Sequence, residues 1–154
     1  MLRRGDDAPR SPAPRLDEVP ALVDAVRASG LDVRLEREGV VEPLAPATEL
    51  AAYRIIQEAL TNVTRHARAR RAIVRVRYGH GVHVEVLDDG AGEVRTVADD
   101  AGTTAGRGIT GMRERAASVG GTVEVGALAS GGFRVAADLP GRDDGSDAGR
   151  RHTP

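Results

Sequence analysis

The stretch GVHVEVLDDGAG, Gly81 to Gly92, changes character half-way along. Up to Val86, valines alternate with polar residues, the period of a strand with one buried face. Two adjacent carboxylates and two glycines follow. Side chains alternate along a strand, so Asp88 shares the face of Val82, Val84 and Val86 and points inward. A buried unpaired charge is costly, and such an acid needs something to meet. Aspartate before glycine is also good turn chemistry. From this stretch alone, a solvated turn and an inward ligand-reading acid both stand open.

The surrounding sequence supplies a sheet for this strand. AIVRVRY, 72–78, alternates in the same way, and Gly79-His80-Gly81 joins the two runs as a hairpin. A second hairpin is expected downstream, with TVEVGA and FRVAADL joined by LASGG, and LDVRLE at 31–36 reads as a further strand. Helices are expected at 19–30, with Leu22, Val23 and Val26 apolar and Gly30 as the stop, and at 109–120, ending at Gly120. A long one, ATELAAYRIIQEALTNVTRHA, follows Pro46 and carries an apolar stripe of Tyr53, Ile56, Leu60 and Val63. The order is helix, strand, helix, hairpin, long loop, helix, hairpin. Strands joined mainly by hairpins, with helices for one face only, predict an α+β two-layer sandwich with a mixed sheet.

Residues 1–19, with Pro9, Pro12 and Pro14 among charges, read as a linker or disordered arm. Residues 141–154 are polar and glycine-rich and read as a disordered tail, leaving the domain at 20–140. The 154 residues contain no cysteine, which removes disulfides, thiolate metal sites and cysteine nucleophiles. No apolar run approaches a membrane span and no secretion signal is visible, so a cytoplasmic location without membrane contact is expected. With 22 basic against 23 acidic residues and three aromatics, neither charge nor stacking surface favours nucleic acid. Every basic residue apart from histidine is arginine. Phosphate sites that need a lysine, such as the P-loop and the protein-kinase strand lysine, are therefore excluded.

On the long helix, at about 100° per residue, Glu58, Asn62 and Arg65 fall on one line opposite the apolar stripe. That line suits a solvated face, and it equally suits oxygen ligands for Mg²⁺, an ion that keeps waters and takes its other oxygens from phosphates. AGRGITGMRER, 105–115, opens a helix with Gly106, Gly108 and Gly111. Helix N-termini attract anions and glycine admits phosphates close to the backbone, although a glycine cluster alone is weak evidence. The aperiodic segment 93–106 before it has the composition of a flap over a ligand.

In this order the pieces resemble the ATP-binding domain of sensor histidine kinases. That domain has the Bergerat-type fold shared with DNA gyrase, a heat-shock chaperone and the MutL mismatch-repair proteins. YRIIQEALTNVTRHA looks like the asparagine box, DDGAG the DxGxG box, GRGITGMRERAASVGGTVEV the second glycine box and SGGFRVAADLP the closing strand. The resemblance covers about 20–140 and is nearest the subfamily that pairs with response regulators bearing helix-turn-helix output domains. It implies ATP and Mg²⁺ as ligands. Asp88 would accept a hydrogen bond from the adenine amino group, with Gly90 and Gly92 making room for the base. Asn62 would ligate Mg²⁺, and Glu58 would assist it or polarise the attacking group. Arg65 stands where the family usually has lysine near the phosphates. Gly106 and Gly108 would be flap hinges, and Arg107 and Ile109 beside them count with the nucleotide contacts. Gly132-Phe133 departs from the frequent Gly-Thr.

The resemblance implies transfer of the γ-phosphoryl group to a histidine on a separate dimerisation and phosphoacceptor domain, and through it to a response regulator. His66, His80, His83 and His152 show no acceptor pattern of histidine followed by an acid on a dimerisation helix. The chain therefore reads as a C-terminal fragment or shortened gene, inactive alone. An anti-sigma-factor-type serine kinase with the same nucleotide fold is the alternative.

Overall fold

The computed structural model describes residues 11–66, 68–91 and 104–141. A 3-10 turn at Leu16–Glu18 leads into α1 (Val19–Ala28), β1 (Asp32–Glu38), α2 (Pro46–His66), β2 (Arg71–Tyr78), β3 (Gly81–Asp88), α3 (Thr104–Ser118), β4 (Thr122–Ala127) and β5 (Phe133–Pro140). The strands form one sheet in the order β1-β2-β3-β5-β4. β1 runs parallel to β2, because the long α2 crossover returns the chain to the same end, and the other three pairings are antiparallel. This is the expected mixed-sheet α+β sandwich.

All three helices pack on one face of the sheet. Val33, Ala72, Val74, Val76, Val82, Val84, Val86, Val135, Ala137 and Leu139 meet Val19 and Val23 of α1, Ile55, Ile56 and Leu60 of α2, and Met112 and Ala116 of α3. Each buried strand residue is separated from the next by one facing away, so the helix layer dictates register: a one-residue slip would present arginines to α2.

The opposite face carries no helix among the described residues, and charge covers it. Glu36 of β1, Arg75 of β2, Glu85 of β3, Arg134 of β5 and Glu124 of β4 form a row that crosses every strand. Arg75 lies 2.7 Å from Glu36 and 3.1 Å from Glu85, Arg134 bonds Glu85, and its other nitrogen lies 3.9 Å from Glu124. Burial opposes ionisation of Glu85, which is only 7% exposed, but hydrogen bonds from Arg134 and Arg75 hold its carboxyl below the usual range.

Three expectations need correction. The arm predicted over 1–19 is structured from the 3-10 turn onward, and Leu16 and Val19 belong to the core, since α1 needs both to close over β1. α3 starts at Thr104 rather than 109, so Gly106 and Gly108 lie inside it; packing against α2 outweighs the weak helix propensity of glycine. On α2 the buried arc also takes in Ala51, Ala52, Ile55 and Ala59, whereas Tyr53 is half-buried. The side covered by α3 accounts for the extra width. Glu58 and Asn62 therefore flank the buried arc instead of standing opposite it.

α2 is followed by Arg68 at φ 46°, the only non-glycine with positive φ among the described residues. The left-handed conformation costs an L-residue about 1–2 kcal/mol, partly recovered when glycine's greater unfolded freedom is set against it. Arg68→Gly is therefore expected to stabilise the domain by about 0.5–1 kcal/mol. Chemical denaturation will check this, and a lower unfolding midpoint would show that the Arg68 side chain does more than end the helix.

Candidate functional site

The two carboxylates at the end of β3 have separate jobs. Asp88 faces the helix layer as parity predicts and is 8% exposed. Its Oδ1 accepts the Gly90 N–H at 2.8 Å, and the backbone N–H of Phe133 also favours the ionised form. Burial nonetheless prevails over both and raises the carboxyl above the usual aspartate value. Asp89 faces outward. Its Oδ1 accepts the backbone N–H groups of Arg70 and Arg71, each at 2.8 Å, and those bonds hold its carboxyl low. It thereby pins the α2–β2 connection to the end of β3. Sequence reasoning left Asp89 without a role, although the same parity argument that turns Asp88 inward turns its neighbour toward the adjoining loop.

The glycines serve close approach. A methyl group built on Gly108 would stand 2.5 Å from Glu58 Oε1, 3.3 Å from its Cδ and 3.4 Å from Asn62 Nδ2. The first turns of α3 therefore lie directly on the acid and amide of α2, one helical turn apart. Gly132, at φ 97°, presses on the main chain of Asp88, and any Cβ there would strike the Asp88 carbonyl. Gly90 is buried beside Asp88. The long helix, the end of β3, the start of α3 and the β4–β5 turn are thus gathered at one end of the sandwich.

The remaining predicted residues divide. Glu58 and Asn62 are half-buried together, whereas Arg65, further along α2, is exposed. Arg107 is exposed, and Ile109 is half-buried against the core. Gly106 lies half-buried in the first turn of α3. Gly92 lies outside the described residues, as does most of the flap. Glu58 and Asn62 bring one carboxylate and one side-chain amide side by side. Among the described residues no group of three or more histidines and acids could cage a metal. That donor set fits Mg²⁺ held by two protein oxygens and completed by water and phosphate.

The family described as histidine kinase-, DNA gyrase B- and HSP90-like ATPase matches residues 47–143, which take in α2, β3, α3 and the closing hairpin. The chain belongs to this family. It is 36% identical over 114 residues to the sensor histidine kinase YxjM of Bacillus subtilis, an alignment covering 73% of this chain and 26% of that protein. Among solved structures, the ATP binding domain of PrrB from Mycobacterium tuberculosis is similar at 25% identity and a TM-score of 0.56, over 80% of this chain and 90% of that one. The blue-light activated histidine kinase of Erythrobacter litoralis shares the fold at a TM-score of 0.60 and 21% identity, over 81% of this chain and 41% of its own. The chain spans about a quarter of the length of YxjM and of the Salmonella typhimurium kinase UhpB. Among the described residues no helix is long and apolar enough to cross a membrane.

Proposed function

We propose that the chain binds Mg·ATP and transfers its γ-phosphoryl group to a histidine on a separate dimerisation and phosphoacceptor domain, within a two-component pathway that ends on a response regulator. The observation that carries this is the pair of polar stations at one end of the sandwich: buried Asp88 on the sheet, and Glu58 with Asn62 packed under Gly108. Asp88 accepts the adenine amino group and fixes the base. Asn62 and Glu58 hold Mg²⁺, whose charge supports the phosphates, and Glu58 orients the attacking imidazole. Arg65, Gly106 and Arg107 face the phosphate end, and Gly90, Gly92, Gly108 and Ile109 shape the space around the nucleotide. Such chemistry is mostly positioning and charge neutralisation.

The chain's own histidines favour an acceptor supplied by another domain. His83 Nδ1 lies 2.7 Å from Asp138 Oδ1 on the charged face of the sheet, away from the helix layer. His80 is in the turn at the far end of β3, roughly 26 Å from Asp88 along an extended strand. His66's side chain and His152 are outside the described residues. The sensor histidine kinases among the relatives favour this reading over the anti-sigma alternative.

Asn62→Ala tests the division of labour. Calorimetry is expected to show the Mg²⁺-dependent part of ATP affinity lost while adenosine binds as before, because the amide reaches only the phosphate end. An equal fall in adenosine affinity would make Asn62 a structural residue.

A further inference from the structure

Asp88 has a neighbour whose role the sequence motifs leave unexplained. β3 and β5 pair with Val86 opposite Val135 and Leu87 opposite Arg134. One more step brings Phe133 opposite Asp88 on the same, helix-facing side, within the 4.5–5.5 Å or so that separates cross-strand side chains. Gly132, the residue before Phe133, is locked against the Asp88 carbonyl. This turn therefore has little freedom to move relative to the acid. Phe133 is the only phenylalanine in the chain, and its ring is half-buried against the core. On the other flank β2 places Ala72 opposite Asp88, so one side of the carboxylate is small and the other is an aromatic wall.

Resting on the nucleotide reading above, we propose that Phe133 is a specificity residue of the base site, its ring packing against adenine beside Asp88. An aromatic ring there contributes area and offset stacking but neither donor nor acceptor. Asp88 already accepts the Gly90 N–H, and its remaining lone pairs suit an exocyclic amine. Adenine asks of this edge one acceptor for its amine. Guanine would bring a carbonyl that neither carboxylate nor ring can satisfy, and a buried polar group left unpaired is rejected strongly. Phe133 offers adenine N1 no side-chain donor either, so between these two residues the base is met through its amine.

The test is calorimetric titration of the purified chain with ATP, adenosine and 1-deazaadenosine, with thermal unfolding recorded for each variant. The wild-type chain is expected to bind adenosine and 1-deazaadenosine comparably. Phe133→Ala should weaken ATP and adenosine together, by about five- to tenfold, since the loss is at the base. Phe133→Leu should keep most of the affinity, and Phe133→Thr should acquire a preference for adenosine over 1-deazaadenosine. Where Phe133→Ala proves unstable, the contrast between the Leu and Thr variants decides the matter. The proposal is overturned by a folded Phe133→Ala protein with unchanged affinities, by equal behaviour of Leu and Thr variants, or by a wild-type chain that prefers adenosine to 1-deazaadenosine tenfold or more. A wild-type chain that binds none of the three would instead overturn the nucleotide reading on which the proposal rests.

Discussion

Asp88→Asn is expected to cost at least about 1.5–3 kcal/mol of ATP affinity, a tenfold to more than hundredfold loss, because a charge-assisted hydrogen bond to the base amine disappears. The fold should not suffer. Burial raises the Asp88 carboxyl above the value it has in the unfolded chain. A group shifted in that direction binds its proton more tightly when folded. It therefore reduces stability as pH climbs from the ordinary aspartate range through the raised one, and the reduction is complete above it. The amide escapes that penalty and still offers Oδ1 to a backbone N–H. The variant is thus expected to melt at or above the wild-type temperature at neutral pH, with the difference shrinking as pH is lowered. Thermal unfolding at several pH values reads this directly. A large loss of stability at neutral pH would make Asp88 a structural acid and remove it from recognition.

Gly108→Ala is the second large effect, and it strikes the other end of the site. The new methyl would meet the tip of the Glu58 side chain at 2.5 Å, with the Asn62 amide at 3.4 Å. Glu58 is flexible at that end and can swing aside. Alanine also improves helix propensity by about 1 kcal/mol, so the domain should fold. The displaced groups are those proposed to hold Mg²⁺ and orient the attacking group, and a misplacement of about 1 Å can lower a rate by 10²-fold. The expectation is a loss of phosphoryl transfer of about two orders of magnitude to a histidine-bearing acceptor domain added in trans, with adenosine affinity unchanged. Transfer at the wild-type rate would mean that Glu58 and Asn62 do not act where Gly108 touches them.

Much of the fold is legible in the sequence because the strand period is short and strict. Alternation from Val82 to Val86 both places β3 and turns Asp88 inward, and the hairpins follow from Gly79-His80 and the LASGG turn. The helical features are less legible. An i,i+3/i,i+4 stripe locates only the face that meets the sheet. The second buried side of α2, at Ala51, Ile55 and Ala59, exists because α3 packs there, and the first turns of α3 can lie so close to α2 because position 108 is glycine. Alanine and glycine carry little local signal about such contacts. Leu16, in a proline-rich and charged arm, becomes core for the same reason: its partners are distant in sequence. Asp89 and Phe133 are hidden differently. Asp89 accepts the backbone N–H groups of Arg70 and Arg71, and Phe133 reaches Asp88 only through the register of β5 against β3. A residue type alone does not announce such a contact.

Base recognition by Asp88 is tested most directly by titrating the wild-type chain with Mg·ATP and Mg·GTP under identical conditions in a calorimeter. Saturable ATP binding is expected in the micromolar range or weaker, about 8 kcal/mol or less. GTP is expected to bind at least tenfold more weakly, because the purine carbonyl would face the Asp88 carboxylate. Equal affinity for the two nucleotides, or no heat with either, would contradict that role.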